Sequence, residues 1–240
     1  MLLIDGKVYE SQLLPTIFFG KSKPLAYVLN PKVASTLTLN FMFYVNYGYR
    51  FFEPYKIYFS QSLLRFEGPE LDPAALSTFF KLAPQSFSIV RDPLRRFVSA
   101  FMSKIYSGED PNYFSLRDQL TGEHGIDLSP EADLARSCLA FTKWIIAQPQ
   151  KTMDTHFRPQ YLNLGSDSRF AVDTVLRLED PDSIIAFFAK WVGEDKAKWL
   201  FSLRLNQQQL SSKGIVTDEL KDFVRTFYAR DYELFYPEQL

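Results

Sequence analysis

The chain has 240 residues, of which 46% are hydrophobic and 16% aromatic, and its formal net charge is −1. This composition excludes a disordered protein, and the near-neutral charge argues against a nucleic-acid-binding protein, which usually has a strong basic excess. The one cysteine of the sequence, Cys138, excludes an intramolecular disulfide framework. Because it sits in an apolar helical stretch, we expect Cys138 in the core.

The first part of the chain predicts an arm followed by one domain. Residues 1–24 indicate a partly ordered arm with a short strand at 7–10, and residues 25–240 a single domain. The N-terminus lacks a signal-like apolar region, and no apolar run reaches the roughly 18 residues of a membrane span. Together with the lone cysteine, these features favour a cytoplasmic protein, expected to be bacterial.

Beyond residue 25, predicted strands and helices alternate along the chain. The predicted strands cover 25–30, 56–59, 86–90 and 173–178; the predicted helices cover 35–47, 73–82, 94–106, 130–148, 181–191, 195–203 and 217–236. Such alternation predicts an α/β fold, with a parallel sheet flanked by helices. The polar stretch 107–129 predicts a variable loop near the acceptor site.

The segment 28–36 predicts an anion-binding loop. An apolar run leads into Asn-Pro-Lys-Val-Ala, in which Lys32 is the one charge, and then Ser35 and Thr36 begin a helix. Amides at a helix N-terminus and the helix dipole both favour an anion there. The Gly-x-x-x-x-Gly-Lys-Ser/Thr pattern is absent, so the cradle should be tighter than one around a nucleoside triphosphate.

A second basic segment follows the predicted strand at 86–90. Asp92 is a good helix N-cap and Pro93 a good first helical residue, while Arg91 and Ser99 could converge on a second phosphate. Arg91 could instead form a structural ion pair, for instance with Glu179. The neighbouring arginines 95 and 96 are interpreted as solvated helix-face charges or as partners of nearby acids.

Five segments in order resemble sulfotransferases that use 3′-phosphoadenosine-5′-phosphosulfate (PAPS). The stretch 31–36 resembles their 5′-phosphosulfate loop, and 91–100 resembles their 3′-phosphate motif. Three later stretches are similar to the carbohydrate branch of sulfotransferase family 2, the chondroitin 4-O and HNK-1 type: 154–160, 175–180 and 228–235. The resemblance covers roughly residues 25–236 and implies the P-loop-like sulfotransferase fold.

The resemblance also implies an activity and its ligands. It implies an O-sulfotransferase that moves a sulfuryl group from PAPS to an acceptor hydroxyl, which we expect on a saccharide. No metal is expected, because no suitable carboxylate cluster accompanies the loop. Lys32 would stabilise the leaving oxygen. The residues expected to bind the donor are Lys32, Val33, Ala34, Ser35, Thr36, Arg91, Ser99, Ser212 and Lys213. The last two belong to a loop that could close over the 3′-phosphate or adenine, or could be a plain surface turn.

The sequence departs from related enzymes in two ways, and the second departure leaves the catalytic base open. The stretch 161–166 lacks the cysteine that Golgi relatives carry, and 50–90 lacks the histidine that heparan 2-O-sulfotransferases place before the 3′-phosphate strand. His156 is the leading candidate, because in an extended segment Asp154 and Arg158 would share its face; it could also be purely structural. His124, in a loop and expected to be exposed, and Glu179 are the alternatives.

Two other functions also fit parts of the pattern. A P-loop small-molecule kinase would use the same strand-loop-helix, although the Walker loop and an obvious magnesium carboxylate are missing. A non-catalytic nucleotide-binding module on this fold is the second alternative. Neither the position sulfated on an acceptor nor the oligomeric state is predicted by the sequence.

Overall fold

The structure is a computed structural model that describes residues 2–4, 7–9, 17–20, 23–54, 56–57, 85–165, 172–203 and 214–240. In chain order the described strands and α-helices are β1 Leu2–Ile4, β2 Lys7–Tyr9, β3 Ile17–Phe19, β4 Ala26–Val28, α1 Ser35–Tyr47, β5 Ser86–Val90, α2 Pro93–Ala100, α3 Phe114–Gly122, α4 Leu134–Ile146, α5 Gln160–Asn163, β6 Thr174–Arg177, α6 Pro181–Val192, α7 Glu194–Ser202, α8 Asp218–Phe227 and α9 Ala229–Phe235. A π-helix, Phe101–Tyr106, continues α2, and short 3₁₀ turns occupy Pro111–Tyr113 and Pro237–Gln239.

The chain divides into two compact units. The first consists of Met1–Val90 and Gln160–Gln207, and the second of Arg91–Pro159 and Gln208–Leu240. The division into an arm over 1–24 and one domain over 25–240 stays a prediction.

The first unit is built on a mixed sheet. Its described strands have the order β3-β4-β5-β6, in which β3 is antiparallel to β4 while β4, β5 and β6 run parallel. The parallel register pairs Tyr27 with Phe87 and Ile89 with Leu176. The predicted fold class, α/β with a parallel sheet flanked by helices, is confirmed.

Aromatic side chains fill the core of the first unit. Phe41 of α1 stacks on Phe188 of α6 with ring centroids 3.8 Å apart and planes 2° from parallel, and Phe87 of β5 meets Phe41 edge to face. These rings are buried. Aromatic contacts of this kind add to the free energy gained by burying the rings, so they fix α1 and α6 on the strand that precedes Arg91.

The second unit is helical and has its own aromatic core. The ring centroids of Phe97 of α2, Phe141 of α4 and Phe157 lie within 6.1 Å of one another. The ring centroid of Tyr228 lies 6.3 Å from that of Phe97. The Tyr228 hydroxyl donates to the carbonyl of Phe157. Tyr228 also breaks the helix predicted over 217–236 into α8 and α9, because its backbone leaves the helical region (φ −100°, ψ 24°).

The stretch 107–129 was predicted as a loop, and this was wrong. It contains a 3₁₀ turn and then α3, which begin where the Asp110 side chain accepts from the amide of Asn112 and Pro111 takes the first helical position. This is the same Asp-Pro start signal that opens α2 at Asp92. The turn chemistry was present in the sequence and was overlooked.

Two other predictions differ in detail. The helix predicted over 94–106 is α-helical only to Ala100 and then π-helical, with the Ser107 amide donating to the Met102 carbonyl at 2.9 Å. Of the strand predicted at 56–59, residues 56 and 57 lie in a 3₁₀ turn. Residues 58–59 and the helix predicted at 73–82 lie outside the described residues.

Candidate functional site

The loop after β4 has an unusual backbone. Lys32 and Ala34 both adopt left-handed conformations, with φ of 69° and 64°. For residues other than glycine this conformation costs free energy and is concentrated at functional sites. The sequence predicted a tight, glycine-free loop here, but it did not indicate that two non-glycine residues would adopt positive φ angles.

The strained loop presents the start of α1. The helix begins at Ser35 with Ala34 as its N-cap, and its first internal hydrogen bond runs from the Thr38 amide to the Ala34 carbonyl at 3.1 Å. The first amides of any helix point out of its end, and here they belong to Ser35, Thr36 and Leu37. With the half-buried Lys32 beside them, these donors suit an anion such as a phosphate.

The Ser35 hydroxyl takes part in the structure of the loop. It donates to the Asn30 carbonyl at 2.8 Å, which closes the loop on itself. The Ser35 hydroxyl proton is therefore already committed, and a donation from Ser35 to an anion would come from its backbone amide. Thr36, like Ser35, is buried.

A buried amide network anchors the beginning of this loop. The Asn30 side-chain nitrogen donates to the Ile89 carbonyl at 3.1 Å and to Gln160 Oε1 at 2.9 Å, and Asn163 donates to Asn30 Oδ1 at 3.3 Å. All three amides are buried. The network holds residue 30 against β5 and α5, and sequence reasoning missed it because the partners are distant in the chain.

Glu179 lies at the same edge of the sheet. It is exposed and follows β6 by two residues. Because β4 and β6 are the parallel neighbours of β5, their carboxyl ends share one edge, where ligands of such sheets bind. The Lys32 loop follows β4, and Glu179 follows β6, so the two lie after strands on opposite sides of β5.

The second predicted motif belongs to the second unit. Arg91 follows Val90 of β5 directly in the chain and is half-buried, and Ser99 is buried in the last turn of α2. The predicted cap is confirmed, since Asp92 accepts from the Arg95 amide at 2.8 Å. Arg95 is exposed, as one of the two interpretations of this pair expected.

Arg96 is not a solvated charge. Only 1% of this residue is exposed, and its guanidinium donates to the carbonyls of Arg158 at 2.9 Å and Thr155 at 2.8 Å. Burial lowers the pKa of Arg96, whereas the charges of Asp231 and Asp154 act in the opposite direction. The side chain thus holds both ends of the turn that carries His156.

His156 lies in a tight turn rather than in the extended segment we predicted. The amides of Phe157 and Arg158 donate to the Asp154 carbonyl at 2.9 and 2.8 Å. The Asp154 carboxylate nevertheless meets His156, because Oδ1 accepts from the His156 amide at 2.8 Å and lies 2.9 Å from ring Nδ1. Arg158 is buried and donates to the Met153 carbonyl, a contact within the same turn.

Sequence reasoning missed Tyr113 in this cluster. Its hydroxyl donates to Asp154 Oδ2 at 2.9 Å and lies 2.9 Å from His156 Nδ1. Burial raises the pKa of Tyr113, and the charge and hydrogen bond of Asp154 raise it further. For Asp154, partial burial by itself raises the pKa, but the hydrogen bonds and charge of His156 and the hydrogen bond from the Tyr113 hydroxyl outweigh it and lower the pKa to about 2.

The remaining candidates are placed as follows. His124 is exposed, as expected, and its Nε2 accepts from the Trp144 indole at 3.1 Å. Ser212 and Lys213 lie outside the described residues. Cys138 is buried in α4, which agrees with its predicted place in the core. Within the described ranges, no group of three or more His, Cys, Asp or Glu side chains is arranged to hold a metal ion.

The fold places a helix N-terminus and a strained, lysine-bearing loop at the carboxyl edge of a parallel sheet. A family model described as "Sulfotransferase family" matches residues 15–237. The chain therefore belongs to the sulfotransferase family and is a transferase. Comparison with curated proteins and with solved structures gave no significant match. Among the helices of the described segments, none combines the length and apolar character needed to cross a membrane.

Proposed function

We propose that this chain is an O-sulfotransferase that moves a sulfuryl group from PAPS to an acceptor hydroxyl on a saccharide. The observation that carries the proposal is the glycine-free loop at Lys32, with its two left-handed residues at the N-terminus of α1, in a chain of the sulfotransferase family. That family generally uses PAPS as its sulfuryl donor.

The chemistry of this loop fits the 5′ end of PAPS. In the proposed reaction the acceptor oxygen attacks sulfur, the bond from sulfur to the bridging oxygen breaks, and negative charge develops on that oxygen. The Lys32 ammonium would stabilise this charge, as preorganised cations do in phosphoryl transfer. The amides of Val33, Ala34, Ser35 and Thr36 would hold the 5′-phosphate.

Roles for the second unit rest on the resemblance of its segments. Arg91 and Ser99 would bind the 3′-phosphate, the first as a guanidinium donor and the second as a hydroxyl donor. Ser212 and Lys213 would complete that contact. His156 would take the proton of the acceptor hydroxyl. The alternative base is Glu179, which belongs to the first unit.

The saccharide acceptor is supported by sequence likeness. The stretches 154–160, 175–180 and 228–235 are similar to the carbohydrate branch of these enzymes. A hydroxyl-bearing acceptor follows from the family itself.

Calorimetry and turnover together test the proposal. We expect 3′-phosphoadenosine 5′-phosphate, the desulfated form of the donor, to bind more tightly than adenosine 5′-phosphosulfate or ATP with Mg²⁺. Sulfuryl-labelled PAPS should then label saccharides in preference to phenols. Tighter binding of ATP with Mg²⁺ would favour a kinase instead, and donor binding without turnover on a broad acceptor panel would favour a non-catalytic module.

A further inference from the structure

Tyr113, Asp154 and His156 form a closed hydrogen-bonded triangle within the second unit. Tyr113 Oη to Asp154 Oδ2, Asp154 Oδ1 to His156 Nδ1 and Tyr113 Oη to His156 Nδ1 each measure 2.9 Å. Tyr113 comes from the 3₁₀ turn before α3, and the other two residues come from the turn that begins at 154. The His156 ring therefore has two oxygen neighbours at one nitrogen, supplied by different parts of the chain.

The protons of the triangle can be assigned one by one. Tyr113 has one hydroxyl proton, and it donates that proton to Asp154 Oδ2. Toward His156 the same hydroxyl can only accept, and the ionised Asp154 Oδ1 can also only accept. Both neighbours of Nδ1 are thus acceptors, so Nδ1 must carry the hydrogen and the lone pair must lie on Nε2.

We propose that Tyr113 is a positioning residue that, together with Asp154, holds His156 in the Nδ1–H tautomer and makes Nε2 the nitrogen that takes the acceptor proton. The last step rests on the proposed function, while the tautomer does not. A carboxylate that fixes a histidine tautomer is a recurring device for general bases. Here a tyrosine shares that task.

Burial distinguishes Tyr113 from Asp154 as a support for the ring. The Asp154 side chain is 42% exposed. Its bond to the amide two residues later, that of His156, is a common local turn of aspartate. Tyr113 is only 7% exposed and touches both partners. Since Tyr113 belongs to another stretch of the chain, its contact with the ring does not depend on the local turn at Asp154.

Charged groups around the triangle hold Tyr113 and the turn in place. Lys104 lies 5.4 Å from the centre of the Tyr113 ring and forms a salt bridge of 2.6 Å with Asp110, just before the 3₁₀ turn. The guanidinium of Arg96 donates to the carbonyls of Thr155 and Arg158. Lys104 therefore supports the Tyr113 ring, and Arg96 supports the backbone of the turn that carries His156.

Nitrogen NMR of the histidine side chains tests the tautomer directly. The chain has two histidines, so a His124→Gln variant assigns the signals of His156. At about pH 9, where an imidazole is neutral, we expect wild-type His156 to show a protonated Nδ1 and an unprotonated Nε2. A predominantly Nε2–H ring in the wild type would overturn the proposal.

Tyr113→Phe removes the hydroxyl and keeps the ring. We expect the Nε2–H form of His156 to become visible in the NMR spectrum, and kcat to fall roughly 10-fold or more with an unchanged KM for PAPS, as for the loss of a supporting partner. Tyr106→Phe is the matched control, because the Tyr106 hydroxyl donates to the Pro130 carbonyl instead; its kcat should stay at the wild-type value. An unchanged His156 spectrum in folded Tyr113→Phe would refute the role of Tyr113.

Asp154→Asn separates the inference from the proposed function. We expect it to lower kcat by at least on the order of 10²-fold, because an amide can donate to Nδ1 and stabilise the wrong tautomer. The NMR result stands whether or not the protein transfers sulfuryl groups. If the tautomer is as expected but His156→Ala keeps full turnover, His156 is not the base and the proposed use of Nε2 is refuted.

Discussion

Lys32 is the residue on which the proposed chemistry depends most. We expect Lys32→Ala to lower turnover at saturating donor by on the order of 10²-fold or more, because one preorganised cation next to the leaving oxygen is lost. The fold should survive, since the side chain is half-buried in a loop and lies outside the aromatic core.

The matched control is Lys198→Ala, which removes an exposed lysine paired with Glu194 on α7. Surface pairs of this kind contribute little to stability, and this one has no proposed role in turnover. Turnover of Lys32→Ala at the wild-type level would assign the charge stabilisation to another residue. A measurement at saturating donor excludes a trivial effect on donor binding.

Arg91 allows a similarly direct test of the 3′-phosphate. We expect Arg91→Ala to weaken binding of 3′-phosphoadenosine 5′-phosphate by about 2–4 kcal/mol, the range for truncating one partner of a hydrogen-bonded charge pair. Binding of adenosine 5′-phosphosulfate, which lacks that phosphate, should change little. Arg95→Ala is the control, because Arg95 is a nearby exposed arginine in the first turn of α2. Equal losses for both nucleotides, measured by calorimetry, would contradict the assignment.

At the scale of the elements, Arg96 joins α2 to the turn of His156. Replacing it by methionine would leave the carbonyls of Thr155 and Arg158 without this donor and would remove the positive charge that interacts with the buried Asp231. We expect Arg96→Met to reduce the free energy of unfolding by about 3–5 kcal/mol, as when one partner of a buried charge pair is removed. Chemical denaturation measures the effect, and a loss below 1 kcal/mol would show that the arginine is dispensable.

The boundaries of the elements show what local signals can predict. Ser35–Tyr47 and Ser86–Val90 begin and end where predicted, because an apolar strand, a lysine loop and a helix start are local patterns. Asp110-Pro111 is equally local and was still missed, since the polar residues around it resemble a loop. The π-helical continuation of α2 has no simple sequence signal.

At the scale of the whole molecule, stability should depend on pH through Asp154. Its folded pKa of about 2 lies below the ordinary value of 3.8, so folding favours the ionised carboxylate. The contribution should be complete above about pH 5 and disappear as the pH falls through 3.8 toward about 2. The gap in unfolding free energy between the wild type and Asp154→Asn should therefore narrow over that range.

Denaturant titrations at stepped pH measure this gap. Asp118→Asn, which changes an exposed carboxylate on α3, provides the comparison. A gap for Asp154→Asn that is independent of pH down to about 2 would show that the carboxylate is not held ionised by its neighbours. Both variants keep the shape of the side chain, so differences in packing should be small.

The site was predictable only in part, for a physical reason. Lys32, Arg91 and His156 were singled out because each sits in a short motif whose chemistry is local. Asn30 and Tyr113 were missed because their partners lie far along the chain: Gln160 is 130 residues from Asn30, and His156 is 43 residues from Tyr113. Contacts of that range depend on the tertiary fold, which a single sequence does not display.

The π-helix at Phe101–Tyr106 implies that this segment could lose one residue and remain helical. A π turn accommodates one more residue than an α turn, so the segment has the form of an α-helix with a single-residue insertion. Deleting one residue before Lys104 would let α2 continue as an ordinary helix. Lys104 and the residues after it would then be rotated about the helix axis by about 100°. Lys104 would then lose both its salt bridge to Asp110 and its contact with the Tyr113 ring. Because these contacts support Tyr113, we expect the variant with the shortened, regular helix to have a lower turnover.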